Sequence, residues 1–366
     1  MHVFFDHQIF ISQPYGGVSR YFREIIPRVA SAGISTEVWQ GASINLYNLK
    51  SCINPHLRVR GLQVPSYPYT RKLRQWFSSA GLRFLLSKSN DTIYHPTYYG
   101  ALAPSWPGIT VLTVYDLIHF LFPNENRQSN LAKMTSLMRS SIANATVIVA
   151  ISENTAQDLM KHLGVEKERI QVIHLGISLD SDGSEQKPFP FPYLLYVGNR
   201  YGYKNYQSLR EAYERTPALH RHFALVCFGG PSPTSEDMPK EGRAQFVTGD
   251  DHYLATLYRH ATIMVYPSLY EGFGLPLLEA MRHGTPVVAS SCGSIPEIGG
   301  EAVCYASEPT AESLSATLVA LLDDSVARAT LIAKGRERVA NFSWDKCAHN
   351  HVNLYRKLGD RSFLVR

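Results

Sequence analysis

The 366-residue chain has no run approaching the ~20 consecutive apolar residues that a membrane-crossing helix needs. Its longer apolar stretches, such as Ala145–Ile151, fall far short. Cysteine is scarce: Cys52, Cys227, Cys292, Cys304 and Cys347 are odd in number, widely spaced and form no C-x-x-C. That pattern fits neither a zinc ribbon nor a disulfide framework, so each is expected as a small buried hydrophobe in a reduced, cytoplasmic, metal-free protein. Nucleophile and phosphate-loop motifs are missing too: there is no G-x-S-x-G, no G-x-x-x-x-G-K-[ST] and no H-E-x-x-H. The one D-x-D, Asp180-Ser-Asp182, sits in a Pro- and Gly-rich stretch with no strand before it, and no metal is assigned to it. The start, Met1 to Asp6, lacks a basic n-region and reads as a buried first strand rather than a signal peptide.

Acid is absent from one long window. Between Glu37 and Asp91 there is no Asp or Glu, while Lys50, Arg58, Arg60, Arg71, Lys72, Arg74, Arg83 and Lys88 give a local excess of +8. The whole chain carries only +5, so the remainder is slightly acidic. Tyr67, Tyr69, Trp76, Phe77, Leu82, Phe84, Leu85 and Leu86 are interleaved with these cations. Read as a helix, Arg71–Ser87 places Leu73, Phe77, Phe84 and cations on overlapping arcs, as in an interfacial helix. Residues 58–88 are therefore either a solvated basic face or a peripheral contact for anionic membrane headgroups or a lipid-linked pyrophosphate. No nucleic-acid-reading motif accompanies the charge.

Apolar residues make up 45% of the chain and charged residues 18%, which excludes a disordered or collagen-like polymer. The length suggests two domains. Strands are predicted at Val3–Phe5, Thr110–Val114, Thr146–Ala150 and Gln171–Ile173, then at Tyr193–Val197, Ala224–Phe228, Gln245–Val247, Ile263–Tyr266 and Pro286–Ala289. Most are apolar without alternation, as expected of strands buried on both faces of a parallel sheet. Helical patterns separate them, including Arg20–Ala32, Asn154–Leu163, His252–Ala261 and Pro276–His283. Ser178–Pro192, near the midpoint, lacks apolar periodicity and reads as a linker. Two doubly wound halves around one linker leave a cleft at the carboxyl ends of both sheets.

The densest signal is Tyr266-Pro-Ser-Leu-Tyr-Glu-Gly-Phe-Gly-Leu-Pro-Leu-Leu-Glu279. A buried strand ends near Tyr266, Gly272 and Gly274 punctuate a turn, and a helix opens with Pro276 in its first turn. Such a loop presents free N–H groups and a partial positive charge suited to a pyrophosphate. Carboxylates beside phosphates are unfavourable unless they accept hydrogen bonds from hydroxyls. Glu271 and Glu279 on either side of an anion site thus suggest sugar on both sides of a diphosphate, that is, a nucleotide sugar.

This segment resembles the Glu-x7-Glu motif of the GT4-type retaining glycosyltransferases. The likeness continues through Ala280–Ser290 (AMRHGTPVVAS), Pro296–Gly300 (PEIGG), Phe342-Ser-Trp344, Tyr196-Val-Gly-Asn-Arg200 with Lys204-Asn205, and Gly16-Gly17-Val18. It is close over most of residues 193–345 and looser over 1–178. The resemblance implies an α/β protein of GT-B architecture, two Rossmann-like doubly wound domains facing a central cleft. Residues 1–178 would be the N-terminal acceptor-side domain, 179–192 the linker with a hinge near Gly183, 193–345 the nucleotide-sugar-binding domain, and 346–366 a segment crossing back to the first domain.

By the same resemblance Glu279 accepts the ribose hydroxyls and Glu271 holds the donor sugar. Backbone N–H groups of Phe273, Gly274 and Leu275, next to Gly272, face sugar and phosphate. Arg200 and Lys204 look like the pyrophosphate cations, and so catalytic, because they stabilise charge on the leaving diphosphate. The base would lie near Val247 and Gly249. On the acceptor side stand Gly16 and Gly17, then Tyr115, Asp116 and His119 at a strand end, and His95. Many relatives have His-Asp where this chain has Tyr115-Asp116. Either Tyr115 takes over that hydrogen bonding, or Asp116 and His119 do, with Asp116 the expected catalytic residue.

The expected activity is retaining, metal-independent transfer of a hexose, with mannose or a deoxyhexose favoured. The donor is a nucleoside-diphosphate sugar, GDP favoured over UDP, and no cofactor is implied. The acceptor would be a saccharide or polyprenyl-linked saccharide, in O-antigen, capsule or exopolysaccharide synthesis at the cytoplasmic face of the membrane. Alternatives are a non-catalytic nucleotide-sugar-binding scaffold, a GT-B sugar-nucleotide epimerase, or a phosphorylase, for which no pyridoxal phosphate site is evident.

Overall fold

The computed structural model describes residues 1–67, 69–86 (Leu86 by its backbone alone), 92–100, 106, 108–123, 131–177 and 183–360. The Asp180-Ser-Asp182 motif, linker residues 179–182, Lys88 and residues 361–366 lie outside them.

The first half runs β1 (His2–Phe5), α1 (Gly17–Ser31), β2 (Ser35–Ser43), β3 (Leu57–Gln63), α2 (Arg71–Leu86), β4 (Thr92–His95), β5 (Val111–Val114), α3 (Ile118–Leu121), α4 (Leu131–Asn144), β6 (Val147–Ala150), α5 (Glu153–Leu163) and β7 (Ile170–Val172). The second half runs β8 (Tyr193–Val197), α6 (Tyr206–Arg215), α7 (Pro217–His220), β9 (Ala224–Phe228), β10 (Arg243–Val247), α8 (Asp251–His260), β11 (Ile263–Tyr266), α9 (Leu275–Arg282), β12 (Val287–Ala289), α10 (Ile295–Gly299), β13 (Cys304–Tyr305), α11 (Ala311–Asp323), α12 (Ser325–Val339) and α13 (Trp344–Gly359).

All pairings between these strands are parallel. In the first half, β3-β2-β1-β4 and β5-β6-β7 are joined by a parallel bridge between Tyr94 and Thr110. In the second, the order β10-β9-β8-β11-β12-β13 is the dinucleotide-binding pattern, with its reversal between β8 and β11. A crevice outside the carboxyl ends at that reversal collects the loops after β8 and β11, which carry Lys204 and Glu271. β5, β8, β11 and β12 are buried throughout, which is why their sequences are apolar without alternation.

β2 and β3 depart from that pattern and are absent from the predicted strands. β3 (LRVRGLQ) is an alternating edge strand whose Arg60 pairs with Glu37 on β2 at 2.8 Å. β4 follows the acid-free window and is only four residues long.

The last helix returns to the first half. α13 packs on α1, with Asp345 accepting from Arg28 at 2.7 Å. Beneath this contact runs a buried chain of polar groups. His351 Nε2 is 2.7 Å from the Tyr21 hydroxyl, Tyr21 is 3.0 Å from Thr113 Oγ1, and Thr113 is 2.9 Å from His95 Nε2. His95 Nδ1 lies 2.6 Å from the Tyr355 hydroxyl. Gly183, expected as a hinge, lies against α8: a Cβ there would meet Thr256 N at 2.6 Å, and Ser184 N donates to Thr256 Oγ1 at 2.8 Å. Phe189 and Phe191 stack at 5.2 Å on the approach to β8.

Candidate active site

The loop from β11 to α9 forms the floor of the site. Gly274 caps α9 at φ +106°, a left-handed conformation that favours glycine, and Pro276 sits in the first turn where its missing N–H costs nothing. The remaining N–H groups there are an anion site in waiting. Glu271, 7% exposed, accepts from Lys204 Nζ at 2.7 and 3.0 Å. Lys204 itself lies over the rings of Tyr203 and Tyr266. Ser294 fixes the loop from below: its N–H and hydroxyl both donate to Glu271 O, and the hydroxyl also reaches Phe273 O. Phe273 is buried and Leu275 begins α9.

Gly272 marks where the two halves touch. A Cβ at this position would lie 2.0 Å from the carbonyl oxygen of Tyr115 and 2.9 Å from Asp116 Cβ. Only glycine admits the other domain's backbone so closely. Asp116 is thereby held beside the Glu271 loop, with Oδ1 accepting from Ile118 N at 3.1 Å. Burial pushes its carboxyl above the ordinary value; Glu271 adds to this, while His119 and Lys204 oppose it.

Glu279 stands on the inner face of α9, buried, with Oε2 accepting from the Tyr258 hydroxyl at 3.0 Å. Burial raises its pKa too, against the Tyr258 hydrogen bond and the positive charge of Arg20. Arg20 comes from α1 in the other half. It donates to the Tyr47 hydroxyl at 3.2 Å and pairs with Asp251, at the start of α8. Sequence reading missed it. The available signal was a cation in the first turn of a helix, where the dipole favours acids, three residues beyond Gly17.

Arg200 is engaged within the second domain through its guanidinium. Its side chain is 1% exposed, and its guanidinium turns under the loop after β9. There it donates to Gly229 O at 2.9 Å and to Pro231 O, lies 3.4 Å from Asp237, and covers the Phe246 ring. Lys204 is thus the one of the two expected cations that reaches Glu271. Val247 O accepts from Gly229 N at 3.0 Å, so the same loop is tied to the end of β10, beside Gly249.

The acceptor-side expectations divide. Gly16 is the extended residue before α1 and Gly17 its first residue; the Gln13 side chain fills the space a Gly16 Cβ would need. His119 lines an open groove with Phe120, Leu131, Thr135 and Arg139. His95 does not face this groove or the cleft. It is fully buried, and both ring nitrogens are engaged within the chain as described above. Tyr115 turns toward the first domain. Its ring packs edge-on against Tyr21 at 5.7 Å, and its buried hydroxyl has no hydrogen-bond partner among the described residues. Asp116 lies beside the Glu271 loop at this strand end, and His119 lines the groove.

α2 presents its apolar stripe outward. Leu73, Trp76, Phe77 and Phe84 are exposed, with Trp76 at 69%, while Arg74, Ser78 and Leu82 face inward. Arg74 is thus not a surface cation; Arg71, Lys72 and Arg83 are. No described helix is long and apolar enough to cross a membrane.

Two family models match the chain: glycosyl transferases group 1 over residues 180–338, and glycosyltransferase family 4 over residues 15–181. The chain is 28% identical to the O-antigen chain mannosyltransferase B of Escherichia coli, over 95% of this chain and 98% of that protein. Among solved structures, sucrose-phosphate synthase from Thermosynechococcus elongatus superposes with TM-score 0.74 at 21% identity, covering 98% of each chain. HepE from Anabaena, in complex with UDP-glucose, does so with TM-score 0.68 at 16% identity, covering 97% of this chain and 99% of its own.

Proposed function

The chain belongs to the group 1 and family 4 glycosyltransferases, with their GT-B fold, and from that premise we propose that it transfers mannose, with retention, from GDP-mannose to a saccharide of a surface polysaccharide. The observation that carries the reading is the placement of Glu271 and Glu279 around the amino end of α9, with Lys204 Nζ 2.7 Å from Glu271. Glu279 receives the ribose hydroxyls, Glu271 the donor sugar, and the α9 N–H groups with Lys204 the diphosphate. Developing charge on the leaving diphosphate is then met by a fixed cation and a fixed helix terminus, without a metal ion. Asp116, reaching from the other domain to the Glu271 loop, stands where the acceptor hydroxyl and the donor sugar meet.

Mannose and an O-antigen-type acceptor are supported by end-to-end similarity to a mannosyltransferase of O-antigen chains. An acceptor carried on a lipid is supported by the exposed Trp76, Phe77 and Phe84 beside Arg71, Lys72 and Arg83, a surface suited to an anionic leaflet. The test is thermal unfolding against GDP, UDP, ADP and dTDP, with and without magnesium, followed by transfer assays with the matching mannose or glucose donor. Stabilisation by GDP without metal, and mannose transfer with unchanged anomeric configuration, is the expected result. Stabilisation by UDP alone overturns the donor assignment. Binding without any transfer turns the reading toward a nucleotide-sugar scaffold.

A further inference from the structure

Glu271 is flanked on both sides by residues bonded to the other domain. Before it, the Tyr270 hydroxyl donates to Asp158 Oδ2 at 2.6 Å and accepts from Leu117 N at 3.4 Å. After it, Gly272 O accepts from Ser152 Oγ at 2.7 Å and from Thr155 Oγ1 at 3.4 Å. Ser152 caps α5, and Thr155 and Asp158 lie on that helix, in the first domain. The same helix end is gripped once more by the second domain. Glu297 accepts from Glu153 N at 2.8 Å and Asn154 N at 3.1 Å, and takes His174 Nε2 at 2.6 Å.

A structural contact between domains could fall anywhere along the interface. Here two of them fall on positions 270 and 272, one residue either side of Glu271, which is 7% exposed. Its own backbone oxygen is held separately, by Ser294. Displacing a reacting or orienting group by about 1 Å costs on the order of 10²-fold in rate. We propose that Asp158, through Tyr270, is a positioning residue that sets Glu271 against the donor sugar, so that sugar transfer depends on this one contact between the two domains while nucleotide binding does not. Asp158 touches no substrate. Its carboxylate, also held by Asn154 Nδ2 at 3.0 Å, fixes the Tyr270 hydroxyl and with it the loop. The nucleotide end of the site, Glu279 with Tyr258, lies on α9 and α8 of the second domain, and the first-domain cation near it, Arg20, comes from α1, so neither is held by the Asp158–Tyr270 contact.

This inference rests on the assignment of Glu271 to the donor sugar. The informative variants are Tyr270→Phe, Asp158→Ala and Asp158→Asn. Ser152→Ala is avoided because Ser152 also caps α5 by accepting from Thr155 N at 3.0 Å. The readouts are kcat and KM with GDP-mannose, and Kd for GDP by calorimetry. Tyr270→Phe and Asp158→Ala should lose at least tenfold in kcat/KM with less than a twofold change in GDP affinity. Asp158→Asn, whose amide oxygen still accepts from Tyr270, should recover most of the loss. A parallel fall in GDP affinity, or wild-type turnover in Tyr270→Phe, overturns the proposal. Glu271→Gln separates the two levels. If it retains turnover, the reading of Glu271 has failed; if it is inactive while the three variants are normal, only the positioning role has.

Discussion

Lys204 Nζ stands 2.7 Å from one carboxylate oxygen of Glu271 and 3.0 Å from the other, so the cation proposed for the diphosphate and the carboxylate proposed for the sugar hold each other. A donor bound as proposed would share an existing ion pair and would not meet two independent charges. The side chains are only 16% and 10% exposed, a setting in which removing one partner of a pair leaves a costly unpaired charge.

Lys204→Ala should accordingly destabilise the protein by roughly 3 kcal/mol and reduce turnover by about 10²-fold or more. Adding Glu271→Gln should restore much of the stability, because a neutral amide needs no counterion, and should leave turnover lost. Denaturant unfolding and transfer assays on the two single variants and the double variant decide this. Equal stability of Lys204→Ala and wild type would mean that the pair carries no weight in the fold.

How far the sequence revealed the site depends on which side of the chain each residue faces. The loop and helix start of the Glu-x7-Glu segment were legible because glycine and proline there each have a local physical reason, left-handed backbone at Gly274 and the first helical turn at Pro276. The partners of Arg200 and His95 were not. Both residues occupy loops or strand ends that face the cleft, yet Arg200 turns under Gly229–Asp237 and His95 turns into the α1–α13 contact. Residue type and chain position are visible in a sequence, but the direction of a side chain at a strand end is set by distant partners, here Phe246, Asp237, Thr113 and Tyr355. The same limit hid Arg20, Ser152 and Asp158, whose partners lie 112 to 231 positions away. Strands β2 and β3 escaped for a different reason, since their polar alternation reflects an edge position that only the sheet order defines.

The misplaced histidine has its own consequence. His95 and His351 stack at 6.0 Å inside the α1–α13 contact, fully buried. Burial holds the His95 pKa well below its usual value, and holds that of His351 down to about 4. Both are neutral in the folded protein and take up protons near 6.5 when unfolded. The folded state then binds fewer protons than the unfolded one, so the stabilisation is complete above about pH 6.5 and is lost as pH falls toward 4. For His351 alone the difference corresponds to roughly 3 kcal/mol. Urea unfolding from pH 7.5 to 4.5 should show this decline, and His351→Gln should flatten it while leaving turnover at pH 7.5 within about twofold. Parallel decline in wild type and variant would assign acid sensitivity to other groups.

The outward stripe of α2 yields the last expectation. Leu73, Trp76, Phe77 and Phe84 cover one side of the helix, and Arg71, Lys72 and Arg83 stand at the surface with them. Arg60 is withdrawn by its pairing with Glu37 and Arg74 by burial against Thr70, which leaves fewer free cations than the acid-free window suggests. A basic residue near an anionic leaflet contributes about 1 kcal/mol. Replacing Arg71, Lys72 and Arg83 by alanine should therefore weaken association with phosphatidylglycerol vesicles by roughly 10²-fold at low salt. Trp76→Ser should weaken it at both low and high salt, because burial of an aromatic ring is not screened. Neither change should alter transfer to a water-soluble acceptor, since α2 lies apart from the Glu271 loop. Vesicle sedimentation at two salt concentrations separates the terms, and unchanged sedimentation of the triple variant would remove the membrane from the acceptor side of the reaction.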